Sequence, residues 1–298
     1  MASSETPPHI FDRTLMRNRR TRALGQPDFP DFLYQAAAAG IADRLDLTLH
    51  SFRRALALGA AAAPLAQMMA RSGKFGDVVT ADRSPRGPAG PVNLVIDEET
   101  LPFAPASLDA VIAGPGLEFA NDLPGALAQI ARALKPDGLF LAVLFGGDTL
   151  SELRASWFAA ETEVTGGVSP RVAPFADVRE LGRLLQRANL ALPVADVDRL
   201  TVRYPSSAAV MAELKAMGLA NGLAARRRSP VTRTLLARAE SIYEERFSDP
   251  DGRVRATFDL VTLTAWAPAE TQQKPLKPGS ASTRLADALG TTEHKLKR

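Results

Sequence analysis

The chain has 298 residues, 46% of them hydrophobic and 23% charged, with a formal net charge of +3. That composition excludes a fibrous or broadly disordered protein and leaves room for one large domain or two modest ones. The absence of cysteine removes disulfides, thiol nucleophiles and zinc–thiolate sites.

His9, His50 and His294 are widely separated and read as solvated surface residues, so neither a metal site nor a histidine-based triad is expected. No apolar run is long enough to span a bilayer, and no apolar signal core follows Met1. A cytoplasmic location is the expectation. The basic residues cluster at Arg17, Arg19, Arg20 and Arg22, at Arg226, Arg227 and Arg228, and at Lys295, Lys297 and Arg298. Without interleaved aromatics these read as solvated faces and a basic tail, and no nucleic-acid partner is expected.

In chain order, residues 1–9 read as loose, and 13–24 as a basic helix within an N-terminal segment of residues 1–30. A helix over 31–47 is capped by Asp31 and carries an apolar stripe of Phe32, Ala36, Ala39 and Leu45. Residues 54–58 read as a strand, followed by Gly59 and an alanine run. A helix to Met69 must start near Ala63, because Pro64 is tolerated only in a first turn. A strand over 75–80 ends at Asp82. A Pro/Gly-rich loop then leads to a strand over 92–96, ending at Asp97.

Residues 108–150 form the unit that organises the rest. The buried strand 108–113 leads to a helix with Leu123, Leu127, Ile130 and Leu134 on one face. Lys135-Pro-Asp-Gly138 stops that helix, and a second buried strand follows over 139–145. Such a unit is a right-handed parallel crossover. Thr149 and Glu152 read as a capping box opening a helix to Thr165. A loop over 166–174, a helix over 178–188 and a strand over 194–204 come next. Helices over 208–217 and 231–247 precede a last strand over 254–266. The last two strands lack a simple helical crossover and read as an antiparallel edge pair. The expected fold is an α/β doubly wound, Rossmann-like seven-stranded sheet over 31–267, with a helical insertion at about 205–253 before the last strand. Residues 268–298 read as a disordered basic tail.

Ligands of open parallel sheets bind beyond the carboxyl ends of the strands. Gly59, Asp82 and Asp97 occupy three such ends. A carboxylate after the second strand accepts both hydroxyls of a ribose. The segment Asp97-Glu98-Glu-Thr-Leu-Pro-Phe103 can face an adenine amino group. Each acid alone is as well explained as a loop residue or cap; together they point to a nucleoside-type ligand.

On these residues the chain resembles the S-adenosylmethionine-dependent methyltransferase superfamily, and within it the bacterial relatives of a mitochondrial complex I assembly factor. The resemblance is carried by Ile10-Phe-Asp-Arg13, Asp97-Glu-Glu-Thr-Leu-Pro-Phe103, Asn121-Asp-Leu-Pro124, Leu134-Lys-Pro-Asp-Gly138, Phe145-Gly-Gly-Asp-Thr-Leu150, Ala160-Glu-Thr-Glu163, Gly166-Gly167 and Ser169-Pro170. In the tail, Gly279-Ser-Ala281 and Leu289-Gly290 match as well. It implies the methyltransferase fold, S-adenosylmethionine as cofactor at Gly59, Asp82, Asp97 and Glu98, and modification of an arginine in an NADH dehydrogenase subunit during assembly. The alternatives are a non-catalytic assembly scaffold and a methyltransferase of the malonyl-carrier-protein type.

The superfamily places an acid in the first strand and two or three glycines after it, whereas this chain reads Ala57-Leu-Gly59-Ala-Ala61-Ala-Ala63. An alanine forced to positive φ costs roughly 1–2 kcal/mol, so weakened or lost cofactor binding is expected. The family's histidine and aromatic are replaced by Glu118 and Phe119. A guanidinium substrate needs carboxylates; Asp148 and Glu118 are the catalytic candidates, while Glu152 reads as a cap and Glu161 and Glu163 as solvated helix charges.

Overall fold

The computed structural model describes residues 9–88, 90–272, 280 and 283–291. Seven strands make the sheet: β1 Phe52–Leu58, β2 Phe75–Asp82, β3 Leu94–Val95, β4 Leu108–Ala113, β5 Leu134–Phe145, β6 Ala191–Tyr204 and β7 Val254–Trp266. Their order is β3-β2-β1-β4-β5-β7-β6. β7 runs antiparallel to both neighbours, and the other observed pairings are parallel. The last two strands therefore pair as expected, but β7 is interior and β6 forms the edge.

Eight helices flank the sheet: α1 Arg13–Leu24, α2 Phe32–Asp46, α3 Pro64–Ser72, α4 Leu123–Ala133, α5 Ser151–Thr165, α6 Val178–Arg187, α7 Ser207–Ala216 and α8 Arg233–Phe247. Alternation along β1 builds two cores. Ala55 and Ala57 face one core with side chains of α2, α3, α5, α7 and α8, while Leu56 and Leu58 face the other with α4 and α6. Along the central strands β4 and β5, residues are buried on both faces, which is why the runs around 108–113 and 139–145 are almost continuously apolar. The helices α7 and α8 lie between β6 and β7, in the expected insertion. Residues 269–298 form a separate unit. Within this stretch, expected to lack structure, Leu285–Leu289 forms a short helix closed by Gly290 at φ 61°. His294, Lys295, Lys297 and Arg298, and Gly279 and Ala281 of the tail motif, lie outside the described residues.

Several local expectations are corrected. The buried stripe of α2 is Leu33, Tyr34, Ala37, Ala38, Ile41 and Leu45; Leu45 is buried as expected, whereas Phe32 and Ala36 are only partly buried and Ala39 is exposed. Asp31 does not cap through its side chain; its Oδ1 instead accepts from Gln35 Nε2 at 2.7 Å. The third strand shrinks to two residues, because Asn93 turns its side chain to Thr80 in β2. The Lys135–Gly138 turn is absorbed into β5 as an irregularity in register with Asp137 at φ 62°. Thr149 and Glu152 form no capping box. Leu150 takes the N-cap position in left-handed conformation, so the Thr149 hydroxyl bonds the Asp259 backbone, and buried Glu152 accepts from Thr257. Among the described residues no helix is long and apolar enough to cross a membrane.

Candidate functional site

The site lies beyond the carboxyl ends of β1, β2 and β4. Gly59 leaves β1 with φ 76°, and a Cβ there would sit 3.5 Å from the Gly114 carbonyl after β4. The next residues tighten into a 3₁₀ turn, Ala60–Ala62, and Ala63 carries φ 74° and ψ −50° before Pro64 opens α3. Alanine occupies a conformation that glycine adopts without strain. A two-stranded ribbon, Arg86–Gly87 with Gly90–Pro91, folds onto this turn. It comes so close that a Cβ on Gly87 would lie 1.7 Å from the Ala61 carbonyl oxygen.

Asp82 ends β2 and is 2% exposed. Its carboxylate is fully engaged: it accepts from Arg20 Nε at 3.1 Å, Arg20 Nη2 at 2.8 Å, Ser84 N at 2.8 Å and Ala61 N at 3.2 Å. Burial alone would raise its pKa, but the Arg20 guanidinium and these amides hold it below the usual carboxylate range. Glu98 is also buried and pairs with Arg83 Nε at 3.3 Å and Arg13 Nη2 at 2.6 Å; here burial outweighs both arginines and its pKa is raised. Asp97 is largely exposed on the Arg13 fork, as is the partly buried Glu99, which also accepts from the Asn121 amide.

The basic face expected to be solvated is therefore turned partly inward. Arg13 and Arg20 bind the acids, and Arg19 donates to the Ala220 and Asn221 carbonyls. Sequence reasoning missed this, because pairs 62 to 86 positions apart leave no periodic signal. Three of the expected cofactor residues converge: Gly59, Asp82 and Glu98 line one cavity, while Asp97 is not in its lining.

That cavity holds only about 30 Å³, against roughly 300 Å³ or more for small-molecule sites. The carboxylates suit a nucleoside chemically, but with Arg20 on Asp82 the residues as arranged do not fit S-adenosylmethionine. Met16, Phe119, Phe145 and Leu219 also wall a second cavity of about 290 Å³. Its lining is mostly aromatic and aliphatic, with Thr149, Arg171, Lys215 and Asn221 as polar groups and no carboxylate. Arg171 lies over the Trp157 ring at 4.7 Å and donates to buried Glu161, which also accepts from Ser169. Glu161, expected to be solvated, instead ties the 166–171 loop to α5. Glu163 remains on the surface with Arg238.

The two catalytic candidates part company. Asp148 is 64% exposed, paired with Arg199 and absent from the cavity lining. Glu118 sits in a 3₁₀ turn, Leu117–Phe119, and is absent from the lining of both cavities, although Phe119 lines both and Leu117 the smaller. Its Oε2 accepts from Gly116 N at 2.8 Å, and its Oε1 is sealed from solvent without a hydrogen-bond partner. Burial pushes its pKa up to about 7. Such a carboxyl exchanges a proton near neutrality and has one oxygen to offer a donor.

Comparison with known proteins places the chain. A model of the methyltransferase domain matches residues 56–142, which run from β1 into β5. The human protein named mitochondrial arginine-hydroxylase NDUFAF5 is 37% identical over 287 residues, covering 94% of this chain and 83% of its own. The chain belongs to this methyltransferase-domain family. The Halorhodospira halophila malonyl-[acyl-carrier protein] O-methyltransferase is 31% identical over 274 residues, covering 89% of this chain and 91% of its own. The Bacillus subtilis YcgJ structure superposes with a TM-score of 0.51 at 15% identity, covering 78% of this chain and 99% of its own, which bears on fold alone. The family's relatives are enzymes by name, as hydroxylase or methyltransferase.

Proposed function

We propose that this chain is a protein-modifying enzyme of the methyltransferase family that acts in the cytoplasm on an arginine of a respiratory NADH dehydrogenase subunit during assembly. The observation that carries the reading is the 37% identity to arginine-hydroxylase NDUFAF5 sustained over 94% of the chain, well beyond residues 56–142 that the methyltransferase-domain model matches. Glu118 is the acid proposed to meet the substrate. Glu118 lines neither cavity itself, but its neighbours Leu117 and Phe119 do, and its Oε1 is sealed from solvent without a hydrogen-bond partner, whereas Asp148 is spent on a surface pair. S-adenosylmethionine is the proposed cofactor, with Gly59, Asp82 and Glu98 as its residues and Asp97 beside Glu98. Binding weakened by Ala63 is part of the proposal. In this form the reading requires Arg20 to leave Asp82.

A second reading, the non-catalytic scaffold, is favoured by the Arg20–Asp82 pair itself, since a scaffold has no use for a free ribose site. Both readings expect NADH dehydrogenase subunits to copurify with the tagged chain, and removal of the gene to lower the amount of assembled enzyme. They separate on Glu118→Gln, which the enzymatic reading expects to fail to restore assembly and the scaffold reading expects to restore it fully. Unchanged assembly after removal of the gene would overturn both.

A further inference from the structure

The acids at the strand ends are bound by one element of the same chain. Arg20 forms a two-bond fork on Asp82, its Nη1 donates to the Tyr34 hydroxyl at 3.0 Å, and Arg13 spans Asp97, Glu98 and Glu99 one loop further along. Both arginines come from α1, two turns apart on one helix face. The helix is also latched from its other side. Asp12 N donates to the Gly222 carbonyl at 2.8 Å, and Gly218 packs against the Arg20 backbone so closely that a Cβ there would lie 3.1 Å from Arg20 Cα. A short connection, 25–31, containing Gly25, Pro27 and Pro30, joins α1 to α2. α1 gives the main core cluster Met16 alone and packs Leu24 against Tyr34, Ala61 and Ala62 in a small separate cluster, so its withdrawal would uncover that cluster and leave the sheet's core in place.

A guanidinium fork and a ribose diol make the same demand on a carboxylate: two donors to two oxygens. They cannot be met together at Asp82, which already accepts two backbone amides. We propose that α1 is an autoinhibitory strap whose Arg20 competes with a nucleoside's ribose for Asp82, so that a nucleoside ligand enters only when α1 withdraws. This rests on the reading that Asp82 belongs to the cofactor site. The ligand class is an adenosine-type nucleoside, and the strap's release is the step that admits it.

The test is a calorimetric titration of the full chain with S-adenosylhomocysteine, comparing wild type, Arg20→Gln and Arg20→Lys. If the open form makes up about a tenth of the molecules, removing the competitor tightens apparent binding about tenfold. Arg20→Gln is expected to reach that gain. Arg20→Lys, which keeps the charge but loses the fork, is expected to gain less and guards against a variant that fails to fold. In the wild type, ligand should also speed tryptic cleavage after Arg17 and Arg22. Equal or weaker binding by a folded Arg20 variant would overturn the strap, as would ligand that protects α1 from trypsin. Failure here with assembly still dependent on the gene sinks the strap alone. Tighter binding with assembly independent of the gene sinks the proposed function alone.

Discussion

Ala63 has φ 74° and ψ −50° in the turn after β1, a conformation that an L side chain resists because Cβ crowds the backbone. Replacing it by glycine should stabilise the protein by about 1 kcal/mol, since relief of strain outweighs the added freedom of the unfolded chain. A urea melt checks this, and unchanged or lower stability would show that the turn is relaxed as it stands. Glu118 gives a second expectation. Its folded pKa of about 7 lies above the ordinary value of about 4.3, so the folded protein holds the proton over that interval and stability falls as pH rises through it. Above pH 7 the full cost, up to about 4 kcal/mol, is present. Glu118→Gln should therefore be more stable than wild type at pH 8 and equal to it near pH 4, and melts at the two pH values decide. The strained alanine was legible in the sequence, because a Gly-poor loop stands where the fold asks for glycine. The sealed Glu118 oxygen was not, since the burial of one atom is set by tertiary packing around the Leu117–Phe119 turn and leaves no pattern in the sequence.

At the scale of elements, the 166–171 loop is tied to α5 by one buried acid. Glu161 accepts from Ser169 and Arg171, and Arg171 in turn covers Trp157 in the wall of the larger cavity. Glu161→Gln leaves the Arg171 charge without its partner in a site only 14% exposed. The expected loss is about 3 kcal/mol, with a shift in Trp157 fluorescence that a distant change would not cause. A loss under about 0.5 kcal/mol, the range of ordinary surface substitutions, would mean that the loop is held by other contacts. The ribbon over the alanine turn is as demanding: Gly87→Ala must move either the ribbon or Ala61, because the new Cβ meets backbone oxygen at 1.7 Å. Helix and strand identities were readable from periodicity and from apolar runs. Caps and pair partners were not: Thr149 and Glu152 have the spacing of a capping box, yet the neighbouring strand β7 offers both of them bonds that outcompete the local ones.

At the scale of the molecule, the order β3-β2-β1-β4-β5-β7-β6 sets the ends of β1, β2 and β3 side by side, so Gly59, Asp82 and Glu98 meet although up to 39 positions separate them. That convergence followed from alternating strand and helix signals. What covers the acids did not, because the basic segment before residue 31 looked like a solvated face and turned out to lie on the site. The apolar cavity beside it has cations and no carboxylate in its lining. Mass spectrometry of NADH dehydrogenase subunits from cells with and without this chain tests the central claim most directly. One arginine is expected to carry the added mass of an oxygen atom, or of CH2 where a methyl group replaces a hydrogen, only when the chain is present, and to lose it with Glu118→Gln. Identical, unmodified arginines in both samples would contradict it.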